Sequence, residues 1–163
     1  VSSSEFALLT GSGEVMASVK GECVEVVLTS PKILSEPLNE NGKTWYFYDT
    51  GVPHLVNFTR NLDEFDVKEC RSLRQKYNAN VNLAKFDGRA LKVRTYERGV
   101  EDETLDCGTG MAACFYGATL NLNAAQCLKV YPKSGEELGL RLENAKILFS
   151  GAVKHCFDTS IEI

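Results

Sequence analysis

The fold is decided by residues 107–120, whose sequence reads CGTGMAACFYGATL. After Gly110 the side chains are small or apolar on almost every side, and a helix that is apolar all round is buried rather than lying on a surface. The glycines on either side of Thr109 are typical of a tight turn that leads into a helix. The sequence therefore predicts a buried helix over Gly108–Leu120, with Cys107 directly before its first turn.

This position gives Cys107 a chemical context that the other cysteines lack. The N–H groups of a helix N-terminus can face an anion, and flanking glycines let a ligand approach them. The helix dipole also favours a thiolate, so the Cys107 pKa is expected to fall from about 8.5 toward neutrality. A thiolate beside a carboxylate-binding turn is suited to removing the α-proton of an amino acid. On spacing alone, a merely structural cysteine in a tight turn is an equally good interpretation.

The remainder of the chain predicts one more helix and many strands, which is an α+β composition. The second helix is predicted over Asp63–Tyr77, capped by Asp63, with Cys70 in its buried stripe. Asp87-Gly88 predicts a hairpin turn, and Pro31–Gly42 predicts a loop that bounds two structural lobes. The predicted strands are Phe6–Thr10, Val15–Lys20, Cys23–Thr29, Thr44–Tyr48, Leu55–Phe58, Val81–Phe86, Ala90–Glu97, Gln126–Tyr131, Glu137–Leu142, Ala145–Phe149 and Val153–Ile163.

Composition excludes several classes of protein. The net charge of −4 without a basic run argues against nucleic acid and anionic membranes as partners. No apolar run approaches the roughly 20 residues of a membrane span, and the first residues are not typical of a secretory signal, so a cytoplasmic location is expected. The six cysteines include no C-x-x-C pair, so neither disulfides nor a metal site are predicted. Because Val1 is not an initiator methionine, we expect a piece of a longer protein or a processed product.

Several motifs in fixed order resemble diaminopimelate epimerases. The chain is similar to the second-half signature of that family at Glu97-Arg98-Gly99, Glu103-Thr104 and Cys107-Gly108-Thr109-Gly110. Further similar segments are Gly51-Val52-Pro53-His54, Val81-Asn82, Thr10–Gly13, Val24–Pro31, and the ending from Ser150 to Ile163. The resemblance covers nearly the whole chain but only about the last three-fifths of a usual family member.

The resemblance implies a particular architecture. Family members resemble two pseudo-symmetric lobes, each an antiparallel or mixed β-barrel-like sheet wrapped around a buried central helix. Residues 1–25 would be strands of the first lobe, residues 26–151 the second, catalytic lobe, and residues 152–163 a terminal strand returning to the first lobe. The N-terminal lobe that carries the partner cysteine would be missing from this sequence.

The resemblance also implies a reaction. Two cysteines would interconvert LL- and meso-diaminopimelate, in lysine and peptidoglycan precursor biosynthesis, without pyridoxal phosphate, metal or any other cofactor. One thiolate would remove the α-proton, and the opposing thiol would protonate the other face of the carbon. None of the other five cysteines has the glycine context of Cys107, so the isolated chain is expected to be inactive as an epimerase.

Site residues are implied one by one. Cys107 would be the second-lobe acid/base, while His54 and Glu97 would tune the thiols. The predicted substrate-binding residues are Asn82, Glu97, Arg98, Gly108, Thr109 and Val52, of which Val52 replaces the asparagine that the family has before Pro-His.

Departures from the family pattern predict altered specificity. Val52 removes an amide, Glu101-Asp102 adds one residue before Cys107, and Asp106 places a negative charge beside the thiol. We therefore expect a relaxed specificity that reaches smaller amino acids such as glutamate. Phe157 stands where a tyrosine often lies at the family's dimer contact, so a homodimer through this region would be weakened.

Three alternatives stay open. A proline-type racemase shares the Cys-Gly-Thr-Gly element, but proline has no distal end for Glu97 and Arg98 to hold. A cysteine hydrolase would pair Cys107 with His54 or His155. A non-catalytic amino-acid-binding lobe would result if the chain exists alone.

Overall fold

A computed structural model describes residues 4–11 and 13–161. The helices are α1 (Val67–Tyr77) and α2 (Gly108–Asn121), preceded by a short 3-10 helix over Leu62–Glu64. The strands are β1 (Ser4–Thr10), β2 (Gly13–Lys20), β3 (Cys23–Val27), β4 (Lys32–Ile33), β5 (Leu38–Glu40), β6 (Lys43–Asp49), β7 (Pro53–Phe58), β8 (Asn80–Phe86), β9 (Ala90–Glu97), β10 (Asp102–Thr104), β11 (Cys127–Tyr131), β12 (Leu138–Glu143) and β13 (Lys146–Ala152). This confirms the predicted α+β class.

The strands form one mixed sheet. Its order is β1-β2-β3-β13-β12-β11-β9-β8-β7-β6-β4, with β10 added to β9 and β5 added to β6. The pairs β7–β8 and β9–β11 are parallel, and the other described pairs are antiparallel. The parallel β7–β8 pair is connected through α1, as a parallel connection requires a crossover segment. Asp87 accepts hydrogen bonds from the N–H groups of Arg89 and Ala90, which confirms the predicted β8–β9 hairpin.

Helix α2 lies inside the curve of this sheet. It contacts β6, β7, β8, β9, β11, β12 and β13, and eight of its residues are buried. Gly117 shows why small residues are needed, because a Cβ there would lie 2.8 Å from a ring carbon of Tyr48. The prediction of a buried central helix wrapped by sheet is confirmed.

Helix α1 covers the opposite face of the sheet. Its buried residues Cys70 and Leu73 pack in a cluster with Val81 and Leu83 of β8, which confirms Cys70 as a core residue. Because successive strand residues point to opposite faces, the side chains of Asn80 and Asn82 lie on the α2 face instead. This alternation brings polar groups of the sheet to the N-terminus of α2.

The start of α1 differs from the prediction. Asp63 lies in the 3-10 helix, and the cap of α1 is Asp66, whose Oδ1 accepts a hydrogen bond from the Lys68 N–H at 2.7 Å. Two aspartates three residues apart are equally good caps by composition. The break at Phe65, whose backbone is extended, decides between them.

Two further predictions need correction. The predicted loop over Pro31–Gly42 contains the short strands β4 and β5, which pair with β6. The predicted final strand is wrong over Val153–Ile161: after Val153 donates to the Glu22 carbonyl, this segment pairs with no strand among the described residues. Its last two residues, Glu162 and Ile163, lie outside the described ranges. Across those ranges, no helix is long and apolar enough to cross a membrane.

The two aspartates give a direct stability test. Replacing Asp66 with alanine is expected to lower the free energy of unfolding by about 1 kcal/mol, because the first turn of α1 loses its cap. Replacing Asp63 with alanine is expected to change it by less than about 0.5 kcal/mol, as is usual for surface positions. Urea unfolding of both variants measures the difference, and a larger loss in the Asp63 variant would restore the original prediction.

Candidate active site

Cys107 occupies the N-cap position of α2. Its backbone is extended, with φ −146° and ψ 101°, and its carbonyl accepts the first helical hydrogen bond from Met111 at 2.9 Å. The hydroxyl of Thr50, in the β6–β7 connection, donates to the Thr109 carbonyl at 2.8 Å. The first turn of α2 is therefore tied to the β6–β7 connection. Cys107, which is 9% exposed, lies at the N-terminal end of that turn.

The thiol is less acidic than the helix position predicts. Burial raises the pKa of Cys107 above its ordinary value, and the Glu97 carboxylate adds to the increase. The Thr109 hydroxyl and the N–H groups of Gly110 and Thr109 act in the opposite direction, but burial outweighs them. The expected fall in the Cys107 pKa is therefore wrong for this chain, since a thiolate loses more by leaving water than these donors return.

The carboxylate with the larger effect on the Cys107 thiol is Glu97 rather than the neighbouring Asp106. Asp106 accepts a hydrogen bond from the Ser134 hydroxyl at 2.9 Å in an exposed position. Glu97 is instead the carboxylate that raises the Cys107 pKa. Its Oε2 accepts from the Thr104 hydroxyl at 3.0 Å, so it is held by the neighbouring strand β10.

The raised pKa predicts how Cys107 reacts with iodoacetamide. A raised pKa means that the thiol is the main form at neutral pH, so the alkylation rate of Cys107 is expected to keep rising above pH 9. Alkylation of the folded chain at a series of pH values, followed peptide by peptide with mass spectrometry, measures this pH dependence. Exposed Cys127 serves as the internal control for the activity of the reagent. A Cys107 rate that levels off below pH 8 would contradict the expectation.

His54 reaches the thiol through Thr109. Its Nε2 lies 3.0 Å from Thr109 Oγ1, and that oxygen lies 3.6 Å from Cys107 Sγ. Burial, together with the positive charge of Arg98, lowers the pKa of His54 to about 3, so the ring is neutral at neutral pH. The predicted closeness of His54 to the thiol is thus found, with a hydroxyl between them.

This geometry disfavours a cysteine hydrolase. Such a mechanism needs a histidine within hydrogen-bond reach of the thiol. The hydrogen-bond partners of His54 are Thr109, Asn80 and Asn82, while exposed His155 contacts Asp158. Neither imidazole makes a described hydrogen bond to Cys107.

Glu97 is the last residue of β9, and Arg98 begins the turn that follows it. The Arg98 N–H donates to Asn80 Oδ1 at 2.7 Å, and its guanidinium donates to the Asn78 carbonyl at 2.8 Å. The amide nitrogen of Asn80 also lies 3.4 Å from His54 Nε2. Asn80 therefore joins the Arg98 turn to the His54 side of the site, a connection that the sequence analysis missed.

Asn82, the predicted substrate ligand, is 0% exposed. Its amide nitrogen lies 2.9 Å from the Leu55 carbonyl and 3.1 Å from His54 Nδ1, while its oxygen accepts from the Thr95 hydroxyl at 2.9 Å. Both amide hydrogens are used inside the protein, so this arrangement leaves none for a substrate. Asn80 and Asn82 lie on the same face of β8, and the two-residue period of the strand was the signal that pointed equally to Asn80.

The connection between β6 and β7 completes the site. Val52 accepts a hydrogen bond from the Thr50 N–H at 3.2 Å, and Gly51 adopts a φ of +111° that favours glycine. A Cβ on Gly51 would lie 4.0 Å from the methyl group of Thr109. The turn that leads to His54 therefore packs against the N-terminus of α2, and the predicted Val52, Thr109 and Gly108 lie in one region. Within the described residues, no group of three or more His, Cys, Asp or Glu side chains could hold a metal ion.

Comparison with curated proteins finds close relatives. The chain is 55% identical to the diaminopimelate epimerase of Campylobacter jejuni strain RM1221 over 155 residues, which is 94% of this chain and 62% of the relative. It is 52% identical to that of a Nitratiruptor species, covering 98% of this chain and 64% of the relative. The Helicobacter pylori enzyme is 40% identical, covering 89% and 53%. The chain thus spans less than two thirds of the length of these relatives. No protein-family model matches it.

Solved structures share the fold at low sequence identity. A hydroxyproline epimerase from Agrobacterium vitis has a TM-score of 0.67 and 12% identity, covering 92% of this chain and 56% of that one. A predicted epimerase from Pseudomonas aeruginosa has a TM-score of 0.66 and 15% identity, covering 92% and 64%. The solved structures support the fold, and the curated relatives support the resemblance to diaminopimelate epimerases. This chain is therefore homologous to diaminopimelate epimerases over nearly all of its length, as the order of its motifs predicts.

Proposed function

We propose that this chain supplies one of the two acid/base cysteines of a diaminopimelate epimerase, and that this cysteine is Cys107. The observation that carries the proposal is the buried thiol at the N-cap of α2, with helix N–H groups and the Thr109 hydroxyl around it. The homologues that carry the name diaminopimelate epimerase support the same reaction class.

The geometry suits proton transfer at an α-carbon. A weakly acidic α-proton needs a base held in place and donors that stabilise negative charge on the neighbouring carboxylate. We assign the donors to the N-terminus of α2 at Gly108 and Thr109, which face the same region as Cys107. Glu97 and Arg98, at the end of β9, would hold the distal amino and carboxyl groups of diaminopimelate. We assign the amide contact to Asn80 in place of Asn82, because the Asn80 amide nitrogen makes only long contacts of 3.4 Å, whereas the Asn82 amide nitrogen is held at 2.9 and 3.1 Å.

The raised thiol pKa has a place in this scheme. An epimerase that protonates one face of the substrate needs one cysteine as a neutral acid. A buried Cys107 next to Glu97 is held as a thiol at neutral pH, so it is suited to that donating role in one direction of the reaction. In the other direction it would have to act as the thiolate base, with the Thr109 hydroxyl and the helix N–H groups stabilising the charge.

A second cysteine must come from outside the described site. Cys70 and Cys114 are buried in the core, and Cys23, Cys127 and Cys156 are exposed, with none of them at the start of a helix. We propose that a further lobe carries the partner cysteine. Residues 1–25 and 152–163 are proposed to pack on that lobe, since Leu9 and Ile161 expose apolar surface. Phe157 is the proposed centre of a homodimer contact.

The assay that tests this function is epimerisation of diaminopimelate. The 163-residue chain alone is expected to show none, because one acid/base cannot serve both faces of the carbon. The chain joined to a lobe that carries the partner cysteine is expected to interconvert LL- and meso-diaminopimelate without added cofactor. Deuterium incorporation with inversion by the isolated chain would contradict the need for a partner lobe.

Substrate range is a separate proposal. Val52 offers no amide to the substrate, so we propose that specificity extends to smaller amino acids such as glutamate. The same joined enzyme, assayed with diaminopimelate, glutamate and proline, measures the range. Activity confined to diaminopimelate would show that Val52 does not relax specificity.

A further inference from the structure

We propose that Asn82 is a positioning residue that fixes the imidazole proton of His54 on Nε2 and thereby aims the Thr109 hydroxyl at the sulfur of Cys107. The tautomer follows from hydrogen-bond geometry alone, whereas its use in proton transfer rests on the proposed function.

The orientation of the Asn82 amide is determined by its neighbours. The Leu55 carbonyl can only accept, so the Asn82 atom that lies 2.9 Å from it must be the nitrogen. The Thr95 hydroxyl, on the adjacent strand β9, donates to the amide oxygen at 2.9 Å. The amide is therefore held from both sides, and its second N–H is directed at His54 Nδ1, 3.1 Å away.

This N–H decides the tautomer of His54. A neutral imidazole has one donor nitrogen and one acceptor nitrogen, and Nδ1 must be the acceptor because it faces a donor. Nε2 then carries the proton and donates to Thr109 Oγ1 at 3.0 Å. With that oxygen already accepting, the hydrogen of the Thr109 hydroxyl is free to point at Cys107 Sγ, 3.6 Å away.

The competing tautomer would need the opposite arrangement. It would place a proton on Nδ1 against the Asn82 N–H at 3.1 Å and let Nε2 accept from Asn80 at 3.4 Å. Asn80 is the weaker determinant because its contact is longer and its amide nitrogen also lies 3.4 Å from the Pro53 carbonyl. The Thr109 hydroxyl would then donate to His54, and Cys107 would lose a donor.

The charged groups that act on His54 and Cys107 are consistent with this direction of the hydrogen bonds. Arg98 is the charged group that acts on His54, and it favours the uncharged ring. Glu97 is the carboxylate that acts on Cys107 and opposes the thiolate. A hydroxyl directed at the sulfur offsets part of that opposition, so the direction of the hydrogen bonds affects how readily the thiolate forms.

Nitrogen NMR of the 15N-histidine-labelled chain tests the tautomer directly. The expected spectrum shows Nε2 protonated and Nδ1 unprotonated for His54, with a His155→Gln variant removing the second histidine from the spectrum. Nδ1 protonated in the unsubstituted chain would overturn the proposal. Neither result depends on epimerase activity, so this proposal and the proposed function can fail separately.

A substitution at Asn82 tests whether this residue sets the tautomer of His54. Asn82→Asp replaces the donor at Nδ1 with an acceptor, so Nδ1 is expected to become protonated, whereas Asn57→Asp, the same change at a buried asparagine of β7 that donates to the Thr44 carbonyl, is expected to leave His54 unchanged.

A second substitution tests the contact between the Thr109 hydroxyl and the Cys107 thiol. Thr109→Val removes the hydroxyl and is expected to slow Cys107 alkylation at pH 8 about tenfold, with Thr109→Ser restoring the rate. An unchanged alkylation rate of Cys107 in Thr109→Val would overturn the proposed role of the hydroxyl.

Discussion

Replacing Cys107 with serine is expected to reduce epimerisation about 10²–10⁴-fold in the enzyme that contains both cysteines. A serine hydroxyl is far less acidic than a thiol, so the site loses its acid/base while the shape of the N-cap is kept, and positioned acid/base groups contribute rate factors of this size. The loss should appear in both directions of the reaction, because the same atom removes the proton in one direction and returns it in the other. Interconversion of LL- and meso-diaminopimelate by the joined enzyme measures it.

A matched control separates chemistry from folding. Cys127→Ser makes the same atomic change in an exposed residue of β11 and is expected to retain full activity. Both variants should unfold at nearly the same urea concentration as the unsubstituted protein. If Cys107→Ser retained more than about a tenth of the activity, Cys107 would not be the acid/base.

The second large effect is expected at Gly110. A Cβ there would lie 2.5 Å from Asn82 Oδ1 and 3.2 Å from both Cys107 Sγ and Thr95 Oγ1. None of these atoms can move away easily, since all three side chains are buried and Asn82 and Thr95 are hydrogen-bonded to each other. Gly110→Ala is therefore expected to lower the free energy of unfolding by about 2–4 kcal/mol, through overpacking and a disturbed buried hydrogen bond.

Gly108 provides the control for the Gly110 prediction. A Cβ on Gly108 would meet only ring carbons of Phe149 at 3.9 Å, which is an ordinary contact. Because alanine also favours a helix, Gly108→Ala is expected to leave stability unchanged or raise it by up to about 1 kcal/mol. Urea unfolding of the two variants gives the comparison, and equal stabilities would show that the close packing around Gly110 is not required.

The central helix and its cysteine could be predicted from sequence because two independent signals coincide there. The residues after Gly110 are apolar on all sides, and glycines mark the turn that precedes them. The direction of the Cys107 pKa could not be predicted in the same way. It depends on how deeply strands far apart in sequence bury the thiol, and burial outweighs the helix N-terminus.

Asn80 and Asn82 show a different limit of prediction from sequence. The resemblance selects Asn82 by its place after Val81, but residues two apart on a strand share a face. Which of them faces the site is decided by where β7 and β9 pair with β8. The register places His54 opposite Asn80 and Thr95 opposite Asn82, and this pairing converts Asn82 into an internal residue. The wrong final strand has a similar cause, since a strand needs a free neighbouring edge that the sequence of Val153–Ile161 does not reveal.

The pattern of deuterium uptake tests the central claim most directly. The joined enzyme is incubated briefly with LL-diaminopimelate in heavy water, and the α-positions of product and recovered substrate are analysed by mass spectrometry. Two opposed acid/base groups predict that the product carries one solvent deuterium while the recovered substrate keeps its original α-hydrogen. Deuterium appearing equally in both, or a product that retains the substrate hydrogen, would indicate a single base and contradict the assignment of Cys107 as one of two.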